Sequence, residues 1–381
     1  MGRNKRIAYL DVIKGLLITL VVIGHLPYFD YDSRTLTLIY SFHMHAFLII
    51  GGILSHVNED TKFSTIIIKR IKGTLVPYFI FYTISLLIIP TPSIQQKLNA
   101  LIVVFRGIGD PVNAINLPLW FLTFYFVAMT TFEIIECLAY RIKVMIYGPR
   151  KYYEIRDNEK YYFVAFITFF ISAILMFISF LYARYYKMPR IPFNVEIAWF
   201  CLGFIFFGKI LGRYIPLAFS EIKKSATLLA LVIILVLLLL VVLIVSWYNL
   251  SMYNGRIDLN ARDYKNAFLM YVNAITGFFI FAIMSFPISK IPLIKSLFAT
   301  FGENSLYILA YHVPSVFFTN TLLIPRLPAV VGMTLSHNSI ISILLQTSLG
   351  IVFSLILALI HKSINLVAQS FHNDSKNDSK K

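Results

Sequence analysis

Charged residues are scarce in this chain, and their scarcity excludes an ordinary water-soluble protein. Of the 381 residues only 14% are charged, whereas 58% are hydrophobic and the mean hydropathy is +0.76. Soluble globular domains carry about 25% charged residues. The composition therefore predicts an integral membrane protein.

Cysteines and long polar segments are scarce as well. The two cysteines, Cys137 and Cys201, both lie in apolar segments, where they are typical of small core residues and argue against a disulfide or a metal site. No polar segment is long enough to form a soluble domain of its own. No convincing internal repeat is present, which weighs against a transporter built from inverted halves.

Apolar segments account for most of the chain, and about ten of them are long enough to cross about 30 Å of hydrocarbon. They run approximately over residues 7–26, 36–57, 74–90, 117–140, 161–182, 194–212, 226–247, 266–286, 304–324 and 339–360. A shorter apolar segment, 94–105, predicts a re-entrant or interfacial helix. We therefore expect an all-α membrane protein, with one polytopic domain over 1–365 and a polar, disordered tail over 366–381.

The distribution of basic residues predicts the orientation. Most of the 34 lysines and arginines fall in segments that share one side of the membrane if the N-terminus is cytoplasmic. Ten spans then place both termini in the cytoplasm. The same distribution accounts for the net charge of +16, favours anionic lipid as a partner and argues against a nucleic-acid partner. Because Asp11 and Lys14 interrupt the first apolar run and no small-x-small site follows it, we expect an uncleaved first helix.

Lys14 and His25 are the most informative residues of that first helix. Eleven positions of an α-helix return to nearly the same face, so both side chains share one stripe and lie roughly 16 Å apart along it. Ionisable groups inside a membrane helix usually face a protein interior or a watery cavity. His25 is therefore a candidate general base, and Lys14, on the same stripe, is the second candidate catalytic residue. The alternatives are an interfacial, hydrogen-bonded His25 and a simple Asp11–Lys14 ion pair.

Three further histidines lie inside predicted spans. His43 and His45 are two residues apart and point to different faces of a helix, which argues against a metal site, and no metal is predicted. His43 lies at a depth similar to that of His25. His312 lies in the ninth span. The basic residues Lys69, Arg70 and Lys72 lie in the first predicted inner loop, where they are either topogenic charge or a clamp for the phosphates of an anionic cofactor.

Segments along most of the chain resemble the membrane-bound acyltransferase family 3, in particular its fucose O-acetylase-like branch. The opening-helix signature of that family, a basic residue and a histidine separated by ten positions, matches Lys14 and His25. The other matching segments are 42–54, 69–78, 119–122 with Trp120, and 302–312 with His312. The chain departs from the usual family pattern at His45, Gly51 and Gly73, where that pattern has proline, serine and a second arginine.

The resemblance implies transfer of an acyl group, usually acetyl, from cytosolic acyl-CoA to a sugar hydroxyl at or beyond the membrane. Its residues imply that the donor phosphates contact four cations and that the pantetheine arm extends along the first helix to His25. His25 then either deprotonates the acceptor hydroxyl or takes the acyl group itself. The four cations are Lys14, Lys69, Arg70 and Lys72; the cavity residues are His43, Trp120 and His312; the candidates for stacking on sugar rings are Tyr28, Phe29 and Tyr31.

We therefore expect a multi-pass O-acyltransferase, in the first instance an O-acetyltransferase, of a bacterial plasma membrane. Its donor would be acetyl-CoA or another acyl-CoA, and its acceptor a cell-surface polysaccharide or a lipid-linked precursor. Polysaccharide synthesis or export machinery is a further expected partner. Two alternatives stay open: an exporter of polysaccharide or lipid-linked sugar without acyl-transfer chemistry, and a structural membrane subunit of a glycan synthase.

Overall fold

Helices form nearly all of the computed structural model, which describes residues 8–26, 33–90, 93–148, 157–184, 188–221, 225–253, 256–326 and 340–378. The α-helices are α1 (Ala8–Gly24), α2 (Arg34–Tyr40), α3 (His43–Ile53), α4 (Phe63–Arg70), α5 (Val76–Ile88), α6 (Ile94–Arg106), α7 (Trp120–Tyr147), α8 (Asp157–Arg184), α9 (Val195–Phe200), α10 (Leu202–Glu221), α11 (Ser225–Tyr253), α12 (Ala267–Ile288), α13 (Pro292–Glu303), α14 (Ser305–Phe318) and α15 (Ile340–Asp378). These ranges contain no β-strand, which confirms the predicted all-α class.

Eight helical segments within the described ranges are long and apolar enough to cross a membrane. The number is nine if the pair Pro192–Phe200 and Leu202–Tyr214, bent by 57°, forms one span. These nine segments overlap nine of the segments predicted from the sequence. The first predicted segment corresponds to α1, whose 17 residues rise about 26 Å. The protein is thus a multi-pass membrane protein, while the cytoplasmic location of its termini stays a prediction.

The third span begins earlier than predicted and therefore includes the basic residues 69–72. It runs from Phe63 to Ile88, through α4, a π-helical turn at Ile71–Leu75, and α5. The basic residues 69–72 therefore lie in helical structure and not in a loop; the loop before this helix is confined to residues 54–62. The prediction failed because these charges lowered the apolarity of the segment, whereas in the structure the charge of Arg70 is neutralised by a carboxylate on α7.

Local sequence explains several helix ends. The side chains of Ser33 and Ser93 accept hydrogen bonds from the backbone N–H groups of Leu36 and Gln96, each at 3.2 Å, and so cap α2 and α6. Gly107 ends α6 with φ of 61°, a left-handed conformation that glycine adopts without steric cost. The short segment predicted over 94–105 is thus a separate helix, α6.

Contacts divide the chain into two units. In the unit that spans Asp30–Met284, α7 packs against α3, α4, α8, α9 and α10. Helices α3 and α10 approach each other backbone to backbone. A Cβ atom at Gly52 would overlap the carbonyl oxygen of Ile205, and one at Gly208 would overlap that of Ile49. Small residues of this kind allow membrane helices to pack closely.

The other unit combines α1 with the chain from Ser285 onward. Here α1 packs along α13, because Gly15 and Gly302 leave room for the backbone carbonyls of Phe298 and Asp11. Helix α1 also contacts α14 and α15, and these two pack against each other. The segment from residue 366, which the sequence predicted to be a disordered tail, is helical as far as Asp378 because α15 continues through it.

Candidate functional site

His25 lies one residue beyond the end of α1, in the unit that contains α13, α14 and α15. Its Nδ1 atom is 2.7 Å from the carbonyl oxygen of Val21, one turn earlier. A carbonyl can only accept, so Nδ1 carries the proton and donates it to this hydrogen bond. In the neutral ring the lone pair is then on Nε2, the atom that can act as a base or a nucleophile.

His312 lies in the middle of α14, and its side chain is fully buried. Its Nδ1 atom is 3.0 Å from the carbonyl oxygen of Ile308 and 2.9 Å from that of Leu309. These two acceptors place the proton on Nδ1 and the lone pair on Nε2, as in His25. Among the described residues, no group forms a hydrogen bond with His312 Nε2.

The two imidazoles contact each other. Their ring centroids are 5.0 Å apart and the ring planes meet at 68°, so one ring edge faces the other ring. The first histidine follows α1 and the second belongs to α14, two helices that pack within one unit. The sequence predicted each histidine as a site residue, and the structure brings the two together.

Lys14 forms the ion pair that the sequence offered as an alternative. Its Nζ atom is 2.6 Å from Asp11 Oδ1, and its side chain is 20% exposed. The pair lies beside α13, where Gly302 contacts the backbone of Asp11. The ammonium group is thus neutralised within its own helix, and a donor phosphate would have to share it with Asp11.

The basic residues of the third span have different surroundings from one another. Arg70 Nε donates to Glu133 Oε2 at 2.8 Å, and its Nη2 atom donates to Glu133 Oε1. Ser55 Oγ also donates to Glu133 Oε1, at 3.2 Å. Lys69 and Lys72 are exposed. Arg70 is therefore held by the helix bundle, while the two lysines are accessible to an anion.

A cavity of about 470 Å³ opens beside these residues. It is lined by the loop after α3, by the first turns of α4 and by Glu133 on α7. Its titratable lining residues are His56, Asp60, Lys62, Lys69 and Glu133. Partial burial, and then the charges of Lys209 and Lys69, hold the pKa of His56 below its usual value. The cavity can accept a polar, charged group.

A second buried ion pair lies next to Glu133, and the sequence analysis missed it. Lys209 Nζ is 2.7 Å from Glu136 Oε1 and donates to the carbonyl oxygen of Ser55 at 3.0 Å. The available signal was two carboxylates, Glu133 and Glu136, in an apolar span. Acidic residues at such positions imply cationic partners inside the protein.

The remaining candidates lie in the unit of residues 30–284. His43 is buried, donates from Nδ1 to the carbonyl oxygen of Ile39 at 2.7 Å and meets Tyr40 edge to face. His45 packs on Phe204 on another side of the helix, as the spacing predicted. Trp120 begins α7 and packs on Phe121 and Phe124. The predicted sugar-stacking residues are outside the described residues; they are Tyr28, Phe29 and Tyr31.

No group of three or more histidine, cysteine or acidic side chains within the described ranges has the arrangement of a metal site. The described ranges bring together two imidazoles in one unit and place exposed lysines beside a cavity in the other. An imidazole that presents a lone pair suits proton abstraction or nucleophilic attack on a carbonyl carbon.

Comparison with known proteins agrees with this chemistry. The family model of acyltransferase family 3, described as an acyltransferase domain, matches residues 7–362. Searches of curated proteins and of solved structures gave no significant match. The matched range covers nearly the whole chain, including His25, His312 and the basic residues of the third span. The chain therefore belongs to acyltransferase family 3 and is a membrane acyltransferase.

Proposed function

We propose that this protein transfers an acyl group, in the first instance acetyl, from cytosolic acyl-CoA to a hydroxyl group of a cell-surface polysaccharide or its lipid-linked precursor. The contact of His25 with His312 is the observation that carries the proposal. It supplies two imidazoles whose proton positions are fixed by backbone carbonyls. Acyl transfer to an alcohol needs such a base, because a neutral hydroxyl attacks a thioester slowly.

Exposed lysines are the proposed contacts for the phosphates of acyl-CoA. Acyl-CoA carries several phosphates, and Lys69 and Lys72 are accessible to them. Lys62 and Lys69 also line the cavity of about 470 Å³, which is large enough for part of a nucleotide. Arg70, held by Glu133, keeps this helical segment in place beside α7. Lys14 remains a proposed contact that would be shared with Asp11.

The membrane spans of the protein suit a reaction whose donor and acceptor lie on different sides of a membrane. A donor in the cytosol and an acceptor at the cell surface require a protein that spans the membrane, and the nine apolar spans meet that requirement. We place it in a bacterial plasma membrane, beside the machinery that makes or exports the polysaccharide. A sugar hydroxyl suits a site with an imidazole base, which the pair of His25 and His312 supplies, since its proton must leave as the ester bond forms.

The experiment that tests the function follows radiolabel from acetyl-CoA into glycan. Membranes with the wild-type protein receive [14C]acetyl-CoA and the acceptor polysaccharide, and base-labile label in the glycan is counted. We expect His25→Ala to abolish labelling while the glycan still reaches the surface. His361→Ala removes another histidine of the same unit and serves as the matched control. Loss of surface glycan with an unchanged ester content per sugar would support an exporter instead.

A further inference from the structure

The contact of His25 with His312 brings together two imidazoles, each with a lone pair on Nε2, whereas a single proton transfer requires only one. His25 and His312 each donate Nδ1–H to backbone carbonyls, so each presents Nε2 as its acceptor atom. A buried side-chain nitrogen normally has a hydrogen-bond partner. His312 Nε2 forms no hydrogen bond with any described residue, although its side chain is completely buried. Both ring nitrogens of His45 also lack a hydrogen bond with any described residue, but His45 packs on Phe204, whereas the ring beside His312 is a second imidazole.

We propose that the two histidines divide the reaction: His25 carries the acyl group as a covalent intermediate, and His312, 5.0 Å away between ring centroids, is the general base that activates the acceptor hydroxyl. The inference rests on the proposed function and deepens it. A single imidazole cannot do both tasks at once, because the Nε2 atom that bonds to an acyl carbon has no lone pair left for a proton. The Nε2 atom of His312 supplies the lone pair that accepts this proton.

In the first step, the Nε2 lone pair of His25 attacks the thioester carbon of acyl-CoA. The carbon–sulfur bond breaks, CoA leaves as a thiolate, and His25 becomes an acyl-imidazolium whose Nδ1–H still donates to the carbonyl oxygen of Val21. The hydrogen bond to the Val21 carbonyl, 2.7 Å long, stabilises the positive charge of this ring. The acyl group is then bonded to a good leaving group.

In the second step, the acceptor hydroxyl oxygen attacks the acyl carbon and its proton passes to His312 Nε2. The carbon–nitrogen bond to His25 breaks, which returns a neutral His25 and an ester. His312 is left as an imidazolium, whose proton neutralises the thiolate of the released CoA directly or through water. The products are therefore one ester and one thiol, and both histidines regain their starting forms.

The geometry suits His312 for this task. Two carbonyls of its own helix hold its Nδ1 proton, so the ring orientation is determined before the acceptor arrives. A general base must reach the hydroxyl within about 2.6–3.2 Å of its nitrogen. The acceptor hydroxyl that attacks an acyl carbon on His25 would approach beside the contact of the two rings, where His312 is the neighbouring imidazole.

A single-turnover experiment separates the two steps. Purified full-length protein in detergent is mixed with [14C]acetyl-CoA in the absence of acceptor, and protein-bound label and free CoA thiol are measured. We expect about one label and one thiol per protein for the wild type and for His312→Gln, and none for His25→Gln. Acceptor glycan is then added, and the label should leave His312→Gln at least about 100-fold more slowly than the wild type.

Hydroxylamine distinguishes a chemical defect from a structural one. It attacks acyl-imidazoles without a general base, so it should remove label from His312→Gln as fast as from the wild type. Ser315→Ala, which removes another buried polar group of α14, is the matched control and should transfer normally. His312→Asn repeats the test if His312→Gln does not yield monodisperse protein.

Three results would overturn the proposal. They are transfer to the acceptor at the wild-type rate in both His312 variants, loss of protein labelling in both variants, and absence of protein-bound label in the wild type. In each case steady-state labelling of the glycan by the wild type would leave the proposed function intact. Absence of glycan labelling by the wild type would instead refute the proposed function itself.

Discussion

The ion pair between Arg70 and Glu133 leads to a quantitative prediction about stability. The side chains are 13% and 2% exposed, and Arg70 Nε donates to Glu133 Oε2 at 2.8 Å. Removing one partner of a buried ion pair costs about 3–5 kcal/mol, because the other charge stays in an apolar environment. Lys69 lies 3.9 Å from Glu133 and compensates partly when Arg70 is lost. We therefore expect Arg70→Met to cost about 3 kcal/mol and Glu133→Leu about 4 kcal/mol.

The assay is reversible unfolding of the purified protein in mild detergent, followed by tryptophan fluorescence. The double variant Arg70→Met/Glu133→Leu should regain most of the loss and fall within about 1 kcal/mol of the wild type, since apolar residues can replace a buried ion pair. Lys160→Met is the matched control. Its partner Asp157 is fully exposed, so this substitution should leave the free energy of unfolding unchanged.

A different pattern would refute the assignment of Arg70 as a structural residue. If Arg70→Met unfolds like the wild type but raises the KM for acyl-CoA, its guanidinium contacts the donor and Glu133 does not hold it in solution. If the double variant is as unstable as the sum of the single variants, the two side chains act independently, and the ion pair is not the source of the stability.

Three further predictions concern donor binding and packing. Lys69→Ala and Lys72→Ala should each raise the KM for acyl-CoA several-fold with little change in kcat, an effect that weakens in high salt because exposed charges are screened. Since the pKa of His56 lies below its usual value of about 6.5, its cationic form appears only at lower pH; the KM for acyl-CoA should fall as the pH decreases below that value, and His56→Gln should remove this fall. Gly52→Leu would place a side chain against the Ile205 carbonyl, so we expect no monodisperse protein in size-exclusion chromatography, in contrast to Gly73→Leu, where the added atom meets nothing.

The helical spans could be predicted because their signal is local. Length and apolarity alone locate nine segments that overlap the helical spans, although the third span begins at Phe63 and not at residue 74. The ion pair of Asp11 and Lys14 is equally local, since residues three apart are neighbours on a helix.

The contacts that define the site could not be predicted from the sequence. Arg70 and Glu133 are 63 residues apart, and neither local sequence indicates that the two side chains form an ion pair. The position of the basic residues was misjudged for the same reason: a charge in a membrane span becomes acceptable only when its distant counter-ion is known. His25 and His312 were each recognisable as intramembrane histidines, but their contact depends on the packing of α1 against α14.

Two sets of ionisable groups inside the described spans and α1 differ in how their burial is compensated. Lys143 belongs to neither set, since its buried Nζ atom lies over the rings of Tyr147 and Phe163. The cations Lys14, Arg70 and Lys209 each have a carboxylate partner within hydrogen-bond reach, so their charges are neutralised and their role in packing is sufficient to explain them. His312 is neutral, and its Nε2 atom loses its hydration on burial without a hydrogen bond to any described residue in return. Such a loss costs about 1–3 kcal/mol, which a leucine or phenylalanine of similar volume would avoid. Because this cost lies beside a second imidazole of the same tautomer, we expect the reaction at the histidines and the anchoring at the ion pairs.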